Sequence, residues 1–162
     1  QARSEVMLKR LDPHAGSATF DLLAFLEGET RAEGVFEDRS GRLKRRFTVE
    51  TAGRVDGNRL TLDESFRFDD GEEMQRTWTL ERGAKGTFTG TCADAPVPAQ
   101  GTLGHDRAAM LSTLLLTVGK RKIAMNFDDV FYPLDSATVL NRSTIRKWGI
   151  TIGQVLLIFR KT

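Results

Sequence analysis

Cysteine is almost missing from this chain: Cys92 stands alone, so no intramolecular disulfide can hold the fold together. Histidine is nearly as scarce. His14 and His105 lie far apart in loop-like sequence, and neither has a partner at ligand spacing, so no metal site is expected. No apolar run reaches the length of a transmembrane segment. No glycine-rich phosphate loop stands between a strand and a helix, and no cofactor is expected. Neither sign of charge dominates, because 24 Lys and Arg stand against 22 Asp and Glu. There is no long basic stripe with interleaved aromatics, which argues against nucleic acid as a partner. The densest basic run, Arg42, Lys44, Arg45 and Arg46, alternates along a predicted strand and so divides between two faces. A solvated face is the expected reading, with a binding patch as the alternative. The chain begins at Gln1 rather than Met, so an upstream segment such as a removed signal peptide is expected.

What the chain has in abundance is alternation. Inward positions recur every second residue through Phe47, Val49 and Thr51, then Leu60, Leu62, Glu64, Phe66 and Phe68, then Met74, Arg76, Trp78 and Leu80. A period of two marks strands with one buried face. Strands are predicted over 31–38, 42–54, 59–68, 73–82, 86–94, 99–103, 107–118, 121–132, 138–147 and 152–161. The connectors DRSG, VDGN, DDGE, RGAKG, VGKR, PLDS and WG carry the Gly and Asp that tight hairpins need. Nine or ten strands joined this way form an antiparallel meander. Closure into an up-and-down barrel is the simplest way to remove its edges. Pro96 and Pro98 predict an interruption of the ladder there.

One short amphipathic helix is predicted over 20–27, with Thr19 as N-cap and Gly28 as C-cap, covering one end of the barrel. Residues 1–18 are polar, contain Pro13 and Gly16, and read as a flexible N-terminal arm. The chain is thus read as that arm followed by a single barrel domain, 19–162.

Glu64 and Arg76 occupy positions that should be buried. Inward charges mark either a private ion-pair network or a place for ligand or water. The turns suggest registers. DGNR places Thr51 opposite Glu64, DDGEE places Phe66 opposite Arg76, and RGAKG places Arg76 opposite Cys92 with Asp94 opposite Met74. Thr51, Glu64, Arg76, Cys92 and Asp94 then share one neighbourhood. An Asp135-Ser136 turn places Asp129 opposite Arg142, beside Phe127 and Phe131, as a buried ion pair. Asp128 and Asp129 point to opposite faces and cannot chelate together.

Taken together, FDLLAFLEG, GVFEDRSGRLKRRFTV, DGNRLTLDESFRFDDGE, RTWTLER, GTFTGTCAD, FDDVFY, LNRSTIRKWG and GQVLLIFRK resemble a bacterial family of uncharacterised proteins, domain of unknown function family 3833. The likeness covers nearly the whole chain from Phe20. Val130 stands where the family pattern usually has tryptophan, and GTCAD replaces a commoner GTADD. The resemblance implies a lipocalin-like (calycin-type) barrel and an exported protein of the periplasm or envelope, often lipid-anchored upstream. It implies no established activity and offers no catalytic residues. Gly34-Val35-Phe36 and Arg160 could play the parts of the G-x-W motif and late arginine of lipocalins, or be ordinary core and a solvated terminal charge.

The expected function is binding of a small apolar or amphipathic ligand. The candidate lining is Glu64, Phe66, Arg76, Trp78, Phe127, Asp129, Phe131 and Arg142, with Arg76 and Arg142 as anchors for an acidic head. The alternatives are a filled structural or interaction barrel, and an enzyme that uses the inward carboxylates. Catalytic residues are not assigned.

Overall fold

The computed structural model describes residues 19–162, so the predicted N-terminal arm lies outside the described residues. A single helical turn, α1 (Leu22–Phe25), is followed by ten strands. These are β1 (Gly28–Asp38), β2 (Leu43–Asp56), β3 (Arg59–Phe68), β4 (Glu73–Arg82), β5 (Thr87–Thr91), β6 (Ala99–Leu103), β7 (Ala108–Val118), β8 (Arg121–Asp135), β9 (Thr138–Lys147) and β10 (Ile150–Lys161). Each pairs antiparallel with its sequence neighbours, and β1 closes on β10 through pairs such as Ala32–Phe159 and Gly34–Leu157. The result is an all-β, closed, up-and-down barrel. Every predicted strand is present, although β1 begins earlier, at Gly28, and β5 ends earlier, at Thr91.

The helix is shorter than expected. Its N-cap is Asp21 rather than Thr19, with the Ala24 N–H donating to Asp21 Oδ1 at 3.2 Å. Leu22, Leu23 and Phe25 are buried, so the turn acts as a plug in one barrel end. Several bonds hold it there. Arg82 Nη2 donates to both Asp21 carboxylate oxygens at 3.0 and 2.8 Å. Lys161 Nζ donates to the carbonyls of Phe25 and Glu27. Phe20 N–H donates to Gly104 O at 2.8 Å. Gly53 makes the close approach possible, since a Cβ there would overlap the Leu26 carbonyl.

The registers decide what faces inward. Thr51 lies opposite Glu64, as the DGNR turn predicts. Between β3 and β4 the turn is tighter than expected: Phe68 N–H donates to Glu72 O at 2.9 Å, and Gly71 takes φ +90°. Glu64 therefore faces Arg76, and Phe66 faces Met74. That is a slip of two residues, which leaves every side chain on its expected face. The β4–β5 ladder slips by two as well, pairing Thr79 with Thr91. It moves Cys92 off the level of Arg76 and brings Asp94 there instead.

The β8–β9 hairpin differs by one residue, and this overturns an expectation. Asp135 pairs with Thr138 around a Ser136-Ala137 turn, and a bulge between Pro133 and Asp135 adds a residue to β8. Asp129 now opposes Ser143, and Val130 opposes Arg142. A one-residue slip turns a whole strand over. Asn141 and Ser143 are buried, and Arg142 is exposed. The predicted Asp129–Arg142 ion pair is absent.

Candidate functional site

A cavity of about 170 Å³ remains inside the barrel. Leu22, Phe25 and Leu26 of the helical plug line one part of it. On the walls, each polar residue is flanked along its strand by apolar ones. Glu64 lies between Leu62 and Phe66, Asp129 between Phe131 and Phe127, and Ser112 between Met110 and Leu114. Arg76 follows the same pattern beside Trp78, as do Asn141 and Ser143 beside Val139. The two charged clusters expected from the sequence are therefore one polar belt within an apolar lining.

Arg76 is the cation of the belt, with its side chain only 11% exposed. Its Nε donates to Asp94 Oδ2 at 3.3 Å, in the loop after β5, where the acid is 40% exposed. Its guanidinium also lies 5.6 Å from the Phe66 ring centre. The Trp78 side chain lies close enough to Glu64 to favour its ionised form. Asn141 Nδ2 donates to Asp129 Oδ1 and to Val130 O, both at 3.1 Å. Asp128 points the other way, as strand alternation requires, and Arg146 bridges it at 3.3 Å. The Ser112 and Ser143 hydroxyls are buried without a hydrogen bond of full geometry, although Ser143 lies close enough to Asp129 to favour its ionised form.

Both inward acids hold their protons more tightly than usual. Burial pushes Glu64 up to about 7, against the pull of Arg76 and with a push from Asp129. Burial also raises Asp129 to about 6, while Asn141 and Ser143 act in the opposite direction. The Cys92 thiol is half-buried, and desolvation raises its pKa, which suits an inert side chain.

Seven of the eight residues proposed from the sequence line the cavity: Glu64, Phe66, Arg76, Trp78, Phe127, Asp129 and Phe131. Arg142 does not. The reading missed Ser112, Asn141 and Ser143. Alternation through Val139, Asn141, Ser143 and Ile145 carried the signal for the β9 pair, but only in the correct register. Thr51 is buried and spends its hydroxyl on Thr30. The G-x-F reading fails on geometry: the Phe36 ring lies over Gly153, whereas Arg160 is exposed and pairs with Arg31 at the opposite end of the barrel. Among the described residues, no three His, Cys, Asp or Glu side chains converge as a metal site. No helix among them is long and apolar enough to cross a membrane.

Closed antiparallel topology, a helical plug and a belted internal cavity define a barrel of lipocalin-like architecture. The chain belongs to the family described as "Protein of unknown function (DUF3833)", whose profile matches residues 7–161. Among curated proteins no sequence matches it. Among solved structures it is similar to the S-type phycobiliprotein lyase of Guillardia theta, with TM-score 0.62 and 8% identity over 86% of this chain and 90% of that one. It is also similar to a protein of unknown function from the DUF3598 family of Nostoc punctiforme, with TM-score 0.63 and 18% identity. That match covers 91% of this chain but only 53% of the other. At these identities the likeness is one of fold.

Proposed function

We propose that the barrel binds a small amphipathic ligand whose head offers hydrogen-bond donors, such as an amine or a hydroxyl. The observation that carries this is the imbalance of the belt. Glu64, Asp94 and Asp129 share one guanidinium, and two buried serine hydroxyls beside them lack partners. Unsatisfied buried polar groups are costly, and a ligand that bonds them recovers that cost. An acidic head would instead add an anion to a site rich in them. Arg142, the second anchor expected for such a head, lies outside the barrel. The cavity is smaller than the roughly 300–1,000 Å³ of drug-sized sites. It suits a ring or a short chain, since an engineered cavity of roughly 150 Å³ holds benzene.

The test is calorimetric titration with an alkylamine, an alkanol and a fatty acid of equal chain length. The amine or alkanol should bind more tightly than the acid and should weaken on Asp129→Asn. Affinity should grow by up to about 0.8 kcal/mol per buried methylene. Tightest binding of the acid would overturn the donor-head reading, and no saturable binding at all would turn the choice toward a purely structural barrel.

A second reading rests on the two raised carboxyl groups, whose pKa values near neutrality suit general acid–base work. It predicts that Glu64→Gln abolishes turnover of a ligand that still binds. The periplasmic or envelope setting implied by the family resemblance is part of the proposal, and fractionation of native cells tests it.

A further inference from the structure

The barrel end opposite the helical plug carries the β1–β2, β3–β4, β7–β8 and β9–β10 hairpin tips together with the β5–β6 connection. Large apolar side chains are exposed on three tips that are neighbours around the barrel. They are Val118 on β7–β8, Trp148, Ile150 and Ile152 on β9–β10, and Leu43 on β1–β2. Trp148 is 85% exposed, the most of any large hydrophobic residue described. Its backbone is unusual as well. The Trp148-Gly149 turn has φ +51° and +75°, the pattern of a type I′ hairpin, which favours Asn-Gly. A bulky residue at positive φ is strained, and with Trp148 so exposed, packing within the fold does little to repay it.

Cations surround these residues. Lys120, Arg121 and Lys122 form the β7–β8 tip and are exposed, and their side chains make no ion pair or hydrogen bond among the described residues. The β8–β9 ladder stops at Asn126–Arg146, so this tip projects past its neighbour. Lys147 Nζ donates to Ala124 O at 2.8 Å and lies 4.5 Å from the Trp148 ring centre. The acids at this end belong mainly to the β3–β4 tip, and basic neighbours engage them. Arg45 bridges Asp70 and Glu72 at 2.9 and 2.8 Å, Arg46 bridges Asp69 at 3.8 Å, and Arg67 bridges Glu73 at 3.6 Å. Among the described residues, the charge left without an ion pair at the β7–β8 and β9–β10 tips is positive.

We infer that these tips dock the barrel end-on to an anionic lipid surface, with Trp148, Ile150 and Val118 entering the headgroup region and Lys120, Arg121 and Lys122 meeting the lipid phosphates. Tryptophan beside lysine and arginine suits the boundary between hydrocarbon and charged headgroups. Basic clusters add attraction to anionic leaflets. Separate hairpin tips carrying one to three exposed apolar residues each fit a soft, deformable surface better than a flat protein partner. The helical plug sits at the other end, so docking would turn the end opposite it toward the bilayer.

Co-sedimentation with sucrose-loaded vesicles tests this. The protein should bind mixed phosphatidylcholine–phosphatidylglycerol vesicles, bind phosphatidylcholine alone weakly, and detach as salt rises. Charge reversal at Lys120, Arg121 and Lys122 should weaken binding roughly tenfold or more. Trp148→Asn should lower vesicle affinity while leaving thermal stability equal or higher, because asparagine suits the turn. Trp148 fluorescence should shift to the blue on binding, since Trp78 is already buried at 6% exposure. Absence of vesicle binding, binding indifferent to lipid charge, or a dimer abolished by Trp148→Asn would overturn the inference.

Discussion

Glu64 and Arg76 are directly paired residues across β3 and β4, yet the Arg76 guanidinium makes its ion pair with Asp94. Glu64 is left with the Trp78 side chain beside it and the influence of Asp129. A buried acid without its own cation holds its proton, and several properties of the barrel follow from that.

Stability should depend on the Glu64 proton. Its carboxyl rises from 4.5 to about 7 on folding, so between those values the folded chain binds a proton that the unfolded chain has lost. Stability is therefore greatest below the lower value and falls as pH rises, levelling off above about 7. Asp129 acts in the same direction between 3.8 and about 6. Glu64→Gln keeps the size and shape of the side chain and removes the charge. It should stabilise the protein at alkaline pH by on the order of 1–3 kcal/mol and change little in acid. Urea unfolding at both pH extremes measures this, and an equal effect at each would contradict it.

Asn141 and Arg142 should differ sharply despite being adjacent. Asn141→Ala removes the donor to Asp129 and to the Val130 carbonyl, and should cost about 1–3 kcal/mol. Arg142→Met changes an exposed side chain and should stay within about 0.5 kcal/mol. Chemical denaturation of the two variants decides the β8–β9 register, because a buried Arg142 would reverse the order.

Arg76→Met should raise the titration midpoints of both Glu64 and Asp129, since the guanidinium favours the charged form of each. Carboxyl-carbon NMR titration reports the two sites separately. Movement of one alone would mean that the belt is not electrically continuous.

The helical plug should loosen on Gly53→Ala, because the new methyl would overlap the Leu26 carbonyl oxygen. Hydrogen exchange at the Leu26 amide, which donates to Leu22 O at 3.0 Å, should accelerate markedly. Exchange in the central strands should change much less. Uniform acceleration throughout would mean that the plug and barrel open together.

The expected registers show where local reading succeeds and where it stops. The DDGEE and RGAKG turns close two residues away from expectation, yet Glu64, Arg76 and Trp78 still face inward. A two-residue slip preserves strand faces, so the inward set survived an inaccurate turn. The PLDS hairpin is off by one, and Arg142 and Asn141 exchanged sides. Nothing local announces the bulge at Leu134, because its placement depends on how β8 packs within the closed sheet.

By itself the sequence determined the ten strands, their meander order and the burial of charged residues on β3, β4 and β8. Side-chain alternation and Gly/Asp turns are local properties, set by the chain's own geometry. The tertiary structure alone decided that β1 closes on β10, that Glu64 and Asp129 feel each other across the barrel, that Arg76 turns to Asp94, and that space remains among them. Those outcomes depend on distances between strands far apart in sequence, which register, bulges and barrel closure set together.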